Sequence, residues 1–147
     1  MDQQPVLHPI QPHSVYVRKL VAERVHNLVP ERVYHPRLST SLHMDKDEDG
    51  PFSVLTVSVT GDPDEEFPFE IDIHLVAHFR IPKGDSVENE EGFTAFLSQQ
   101  AVVLLWPYAR VYVTETLDKL GLPPISLPWV NVKETAKKIS ETPDGEA

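Results

Sequence analysis

The side chains best suited to chemistry in this sequence are seven histidines and 23 carboxylates, and there is no cysteine among the 147 residues. His74 and His78 are four residues apart, which would place both on one metal ion if the segment were helical. The segment instead alternates apolar and polar residues, which predicts a strand, where four residues span roughly 13 Å. Asp72 and His74 would share a strand face, but no third ligand accompanies them. We therefore expect no metal site.

The motifs of common enzymes and cofactor sites are missing. There is no Gly-x-Ser-x-Gly, and the six glycines never cluster into a phosphate-binding or dinucleotide-binding loop. Neighbouring carboxylates lie in acidic turns, where neither burial nor fixed geometry would adjust their pKa values. The sequence predicts a protein that is not an enzyme and needs no cofactor.

Charge is distributed unevenly along the chain. The formal net charge is −10, and residues 45–91 carry fourteen Asp and Glu against three Lys and Arg. A field of this sign repels nucleic acid and favours cationic partners. The alternative interpretation is that the acidic residues lie in solvated turns and bind no partner. The N-terminus shows no secretory signal, and no apolar run approaches the ~20 residues of a membrane span. We expect a cytoplasmic protein without membrane insertion.

Four strands are predicted to carry these side chains, over residues 15–25, 38–44, 55–60 and 67–81. In the last of them every odd position is apolar, from Phe67 to Ile81, which is typical of a strand with one solvated face. Acidic turns between the strands indicate an antiparallel sheet. Residues 1–14 are interpreted as a mobile arm, residues 15–140 as one domain, and residues 141–147 as a polar tail. The expected fold class is α+β.

A long helix is predicted to follow, capped by Asn89 and stopped by Gly121 and two prolines, with a kink at Pro107. A short helix over 132–140 would come after a loop. The long helix has two apolar stripes, so we expect one to pack on the sheet and the other on a second subunit. The first stripe contains Phe93, Phe96, Leu97, Leu104, Tyr108 and Val111. The second stripe, which we assign to the oligomer interface, contains Val102, Leu105, Ala109, Val113 and Leu120.

Two segments of this helical region resemble a known family. They are Leu-Leu-Trp-Pro-Tyr-Ala-Arg at 104–110, and Gly-Leu-Pro-Pro-Ile-Ser-Leu at 121–127 with Val-Asn-Val at 130–132. Over residues 15–140 the chain resembles the SecB-type protein-export chaperones. The resemblance implies a four-stranded antiparallel sheet backed by helices, in a homotetramer built as a dimer of dimers with the long helices at the interface. It also implies an ATP-independent holdase that binds unfolded preproteins in apolar grooves and delivers them to the translocase motor SecA.

Candidate binding residues follow from apolar side chains in the second strand, at the start of the fourth strand and in the proline-rich loop. The expected client-binding residues are Leu38, Leu42, Met44, Phe67, Phe69, Ile125, Leu127 and Trp129. For SecA docking, the acidic positions that the family has on its first strand fall here on Arg24 and Leu28. Glu70 and Asp72 on the fourth strand are acidic, so we assign docking to them.

A second interpretation stays open. Some SecB-like chaperones protect the antitoxin of a toxin–antitoxin system, and their Leu-Pro-Pro-x-x-Leu loop resembles residues 122–127. The alternative function is therefore a chaperone dedicated to one antitoxin. A structural or adaptor module is a third, less specific interpretation.

Overall fold

The computed structural model describes residues 10–80 and 90–125 of the chain. In this part the elements are β1 (Gln11–Arg24), β2 (Pro36–Asp47), β3 (Gly50–Gly61), a 3-10 turn (Pro63–Glu65), β4 (Phe69–Arg80) and α1 (Glu90–Lys119). The predicted α+β fold with a four-stranded antiparallel sheet and one long helix is confirmed. The residues predicted as the helix cap, the second helix and the polar tail lie outside the described residues.

The four strands form one antiparallel sheet in the order β1-β4-β3-β2. β2, β3 and β4 follow one another as neighbours, whereas β1 pairs with β4 at the opposite edge from β2, which is a Greek-key arrangement. The connection between β1 and β2, residues 25–35, must therefore pass the end of the sheet. We call it the crossover loop.

The apolar face of the sheet forms the core with α1. The odd positions of β4 from Phe69 to Phe79 are buried together with Leu55, Val57 and Val59 of β3. On the opposite face Glu70 is exposed, as the alternation predicts, but Val76 and His78 are also buried. Tyr16 stacks on the His78 ring at 5.8 Å between centroids, so this face carries a small apolar cluster of its own.

β1 differs from its prediction in two ways. It begins at Gln11, so residues 11–14 belong to the sheet and not to an arm. The pairing with β4 shifts between Val17 and Lys19, where one extra residue interrupts the ladder. Such a bulge reverses the facing of every later residue. Val21, predicted to share the face of Val15, is therefore paired with Asp72 and is exposed.

Helix α1 buries one stripe completely, and this corrects the assignment of its two sides. The buried stripe has a four-residue spacing: Leu97, Ala101, Leu105, Ala109, Val113 and Leu117. Leu105, Ala109 and Val113, predicted as an oligomer interface with Val102 and Leu120, therefore belong to the core of the single chain. Val102 is also buried within the chain, and Leu120 packs against the core.

The other side of α1 carries the apolar residues that remain exposed. Val103, Tyr108 and Val111 are 48%, 42% and 53% exposed. Tyr108 and Val111 belong to the stripe that was predicted to pack on the sheet, so the two sides are largely exchanged. Pro107 lies within the helix and cannot donate to the Val103 carbonyl, so the kink stays a prediction.

The helix ends where Gly121 was predicted to stop it. The Leu122 N–H donates to the Leu117 carbonyl and the Gly121 N–H to the Asp118 carbonyl, both at 3.0 Å, which is a Schellman motif. Gly121 has a φ of 70°, which a residue without Cβ adopts at least cost. Arg24 donates from Nη1 to the Leu120 carbonyl at 3.2 Å. The end of β1 and the end of α1 are thereby joined, which places the chain after the helix beside the crossover loop.

Candidate functional site

An apolar cavity of about 350 Å³ opens where three segments meet. The segments are the crossover loop, the chain entering β4, and the chain leaving α1. The lining residues are Leu28, Val29, Pro30, Glu31, Arg32, Tyr34, Phe67, Pro68, Phe69, Leu122, Pro123 and Ile125. Two of these twelve are charged, so the cavity favours apolar ligand groups. We call it the groove.

Three aromatic rings form the innermost part of the groove. Phe67 and Phe69 are buried, with ring centroids 4.7 Å apart, and Tyr34 meets Phe67 edge-on at 5.9 Å. Gly61 at the end of β3 makes room for this arrangement, because a Cβ at that position would overlap the Phe67 ring. The rings are therefore set in place by packing before any ligand arrives.

The crossover loop forms one wall of the groove and is hydrogen-bonded at its start and within its turn. The Val25 N–H donates to the Pro68 carbonyl at 2.8 Å. A turn follows, in which the Arg32 N–H donates to the Val29 carbonyl at 3.3 Å, with Pro30 and Glu31 between them. Glu31 has a φ of 67°, as the third residue of a type II turn requires. The turn directs this apolar wall toward the aromatic rings.

Polar contacts surround the groove, and two of them involve Tyr34 of its floor. The Tyr34 hydroxyl accepts a hydrogen bond from the Val29 N–H at 2.9 Å, and the Arg32 guanidinium lies 6.0 Å from the Tyr34 ring centroid. Arg32 also donates to the Glu65 carbonyl at 3.5 Å. Hydrogen bonds from the His35 ring and from the His35 N–H lower the pKa of Glu65. Glu65 is therefore a carboxylate at neutral pH.

The structure brings together only part of the predicted client-binding set. Phe67, Phe69 and Ile125 line the groove. Leu42 and Met44 pack against the core and Leu38 pairs with Val59 on β3, so the second strand does not contribute to the groove. Leu127 and Trp129 lie outside the described residues.

Sequence reasoning missed the lining residues of the crossover loop. Leu28, Val29 and Tyr34 carry no periodic signal because they belong to neither helix nor strand. Their clue was an apolar pair followed at once by Pro30, which indicates a turn that holds apolar side chains outside regular structure.

The two acidic residues predicted to dock SecA differ in how free they are. Asp72 accepts from Ser58 Oγ at 2.9 Å, lies 3.2 Å from His74 Nε2, and is 4.0 Å from Lys19 Nζ. Glu70 is exposed and pairs with Glu23 of β1, which is also exposed. The less compensated negative charge on this face is therefore the Glu23–Glu70 pair.

Other titratable clusters are small. The buried His78 ring contacts Asp47 Oδ2 through Nε2 at 3.0 Å, and this hydrogen bond lowers the pKa of Asp47. Within residues 10–80 and 90–125, no three His, Asp or Glu side chains are grouped so as to hold a metal ion. In the same part of the chain, the helix is not apolar enough over a sufficient length to cross a membrane.

Comparison with known proteins extends these observations. One solved structure is the SecB-like chaperone Rv1957 of Mycobacterium tuberculosis, in complex with a ChAD peptide from the Rv1956 HigA1 antitoxin. It matches with a TM-score of 0.73 and 20% identity, over 84% of this chain and 91% of that chain. A protein of unknown function from Streptococcus agalactiae matches with a TM-score of 0.43 and 16% identity, over 82% of this chain and 97% of that chain.

No curated protein matches the sequence. The family model described as preprotein translocase subunit SecB matches residues 3–138, which is nearly the whole chain. The fold is shared with the mycobacterial SecB-like chaperone. The chain therefore belongs to the SecB family of chaperones.

Proposed function

We propose that this protein is an ATP-independent holdase that binds unfolded polypeptides in the groove between the crossover loop and the end of α1. The observation that supports it is an open apolar cavity whose floor is three packed aromatic rings. Apolar contact is non-directional, so such a surface accepts many sequences that present large side chains. A folded protein keeps those side chains inside, and an unfolded one exposes them.

The groove is suited to an extended segment of client. Apart from Phe69 at the start of β4, its lining comes from irregular chain, and we expect a client backbone to lie along it. An extended client would insert one large apolar side chain over the aromatic floor, and its neighbours would point away. Buried aromatic contacts would supply most of the affinity.

The test is a charge placed in the groove wall beside a matched control. Val29 lines the groove and is 40% exposed. Val29→Asp should weaken binding of a denatured client on the order of tenfold or more, because the bound client would bury a carboxylate that has no partner. Val33 lies in the same loop, is 75% exposed and does not line the groove. Val33→Asp should bind client like the parent. Equal binding by both variants would show that clients use another surface.

Delivery to SecA is the export form of this proposal, and the Glu23–Glu70 pair is its docking candidate. Two exposed carboxylates opposite each other on neighbouring strands attract a basic surface.

The alternative function is that of a chaperone dedicated to one antitoxin. The antitoxin peptide bound to the mycobacterial SecB-like chaperone supports this alternative. Mass spectrometry of co-purified clients separates the two: many unrelated preproteins indicate export, and one small partner indicates an antitoxin.

We further propose assembly as a homotetramer, a dimer of dimers. The exposed apolar side of α1, with Val103, Tyr108 and Val111, is the surface that supports it. Three large apolar side chains on one side of a helix are stabilised when a second subunit covers them.

A further inference from the structure

Glu65 lies outside the groove but contacts the crossover loop at several points. The His35 N–H donates to Glu65 Oε2 at 3.0 Å, and the His35 ring nitrogen Nδ1 contacts Oε1. The main-chain carbonyl of Glu65 accepts from Arg32 at 3.5 Å. Glu65 is the last residue of the 3-10 turn, two residues before Phe67 of the groove floor.

These contacts hold the end of the loop that carries Tyr34. Tyr34 lies between Arg32 and His35 in the sequence and packs edge-on against Phe67. Its hydroxyl accepts a hydrogen bond from the Val29 N–H. A shift of His35 would therefore move Tyr34 and with it the wall at Val29. The start of the loop is held separately, by the hydrogen bonds of Val25 and His26 to Pro68.

We propose that Glu65 is a positioning residue for client binding, which fastens the crossover loop over the aromatic floor. This inference rests on the proposed function of the groove. An unfastened loop samples more conformations, and a client must then supply the free energy of ordering it. The effect appears as lower affinity and not as loss of the groove, because Phe67 and Phe69 stay packed in the core.

The experiment measures the affinity of the full chain for a dye-labelled synthetic peptide with phenylalanine at alternate positions. Glu65→Ala removes both carboxylate contacts and should weaken binding about tenfold, the scale of lost charged hydrogen bonds. Glu65→Gln keeps an oxygen that accepts the His35 N–H, so it should restore affinity to within about twofold of the parent. Glu66→Ala removes the adjacent, exposed carboxylate and should bind like the parent.

Two further measurements separate positioning from general stability. The thermal midpoint of Glu65→Ala should fall only slightly, because Tyr34 is the one residue of the crossover loop that packs against the core. Amide hydrogen exchange should speed up over residues 25–35 and stay unchanged in β3 and β4. His35→Ala removes the contact of the His35 ring with Glu65 Oε1 but keeps the hydrogen bond from the His35 N–H. It should therefore weaken binding less than Glu65→Ala does, by about threefold.

The possible outcomes distinguish the two proposals. If the parent binds the peptide and Glu65→Ala binds it equally well, the positioning role is wrong and the groove stands. If Glu65→Ala unfolds broadly, or if its loop exchanges no faster, the role is structural or absent and the inference is again wrong. A parent that binds no peptide would overturn the proposed function, and the inference with it.

Discussion

At the scale of single residues, two histidine–carboxylate contacts make the free energy of unfolding depend on pH in the acidic range. His35 lowers the pKa of Glu65, and His78 lowers the pKa of Asp47, in each case mainly through a side-chain hydrogen bond. A carboxyl group whose pKa is lower in the folded state stabilises the fold above its unfolded pKa. That contribution is lost as the pH falls through the lowered value.

The expected result is a fold that loses stability below about pH 4 through these two groups. In Glu65→Gln/Asp47→Asn the free energy of unfolding should vary less with pH in that range than in the parent. Urea denaturation at a series of pH values measures this. A double variant with the parent's pH dependence would show that other carboxylates cause the acid sensitivity.

Gly61 gives a second prediction at this scale. A methyl group at Gly61 would occupy the place of the Phe67 ring, so Gly61→Ala should lower the free energy of unfolding by about 1–3 kcal/mol and weaken client binding. Phe67→Gly in the same chain removes Cβ and the ring, the atoms that a methyl group at Gly61 would overlap, so the double variant should lose less stability than the sum of the two single losses. Strictly additive losses in the double variant would contradict a direct contact.

At the scale of elements, the two sides of α1 give opposite predictions. Val113 is fully buried against the sheet, so Val113→Asp should unfold the chain by burying an unpaired charge. Tyr108→Asp/Val111→Asp changes exposed residues only, and should dissociate the assembly into smaller folded species. Analytical ultracentrifugation and circular dichroism distinguish these results. A folded assembly of unchanged mass in the second variant would place the interface elsewhere.

The sequence predicted β4 and the helix well because each has a long, regular apolar period. The shorter alternation over 55–60 located β3 but missed its first residues, 50–54. The bulge between Val17 and Lys19 could not be predicted from the sequence, since one inserted residue reverses the facing of the rest of β1 without changing its composition. The sides of α1 could not be chosen because both stripes are apolar. Ala101 and Ala109 were the usable clue, because small residues allow the helix to approach the sheet closely.

The groove was predicted only in part for a reason of topology. Phe67 and Ile125 could be predicted as binding residues because each is an apolar residue beside a proline. Their neighbours on the crossover loop depend on β1 pairing with β4, and no local pattern encodes the order of strands. Leu28 and Tyr34 become groove residues only through that order.

At the scale of the whole molecule, charge gives a prediction about SecA. Glu23→Lys/Glu70→Lys should slow association with SecA, and the loss should shrink as salt concentration rises. Glu48→Lys/Asp49→Lys makes the same change in net charge in the β2–β3 turn, at the other end of the sheet, and should associate like the parent. Equal slowing by both would indicate net charge alone. A parent that does not associate at low salt would favour the antitoxin alternative.

The strand order also determines when the groove can form during folding. β1 is the first strand of the sheet in the chain, but it pairs with β4, the last, so it must wait until β2, β3 and β4 have been synthesised. Closing so long a loop is slow compared with forming the β2–β3–β4 meander. The crossover loop is placed by that final pairing, and Arg24 reaches the end of α1 only afterwards. A nascent chain of this protein would therefore complete its groove last, after the β2–β3–β4 meander has formed.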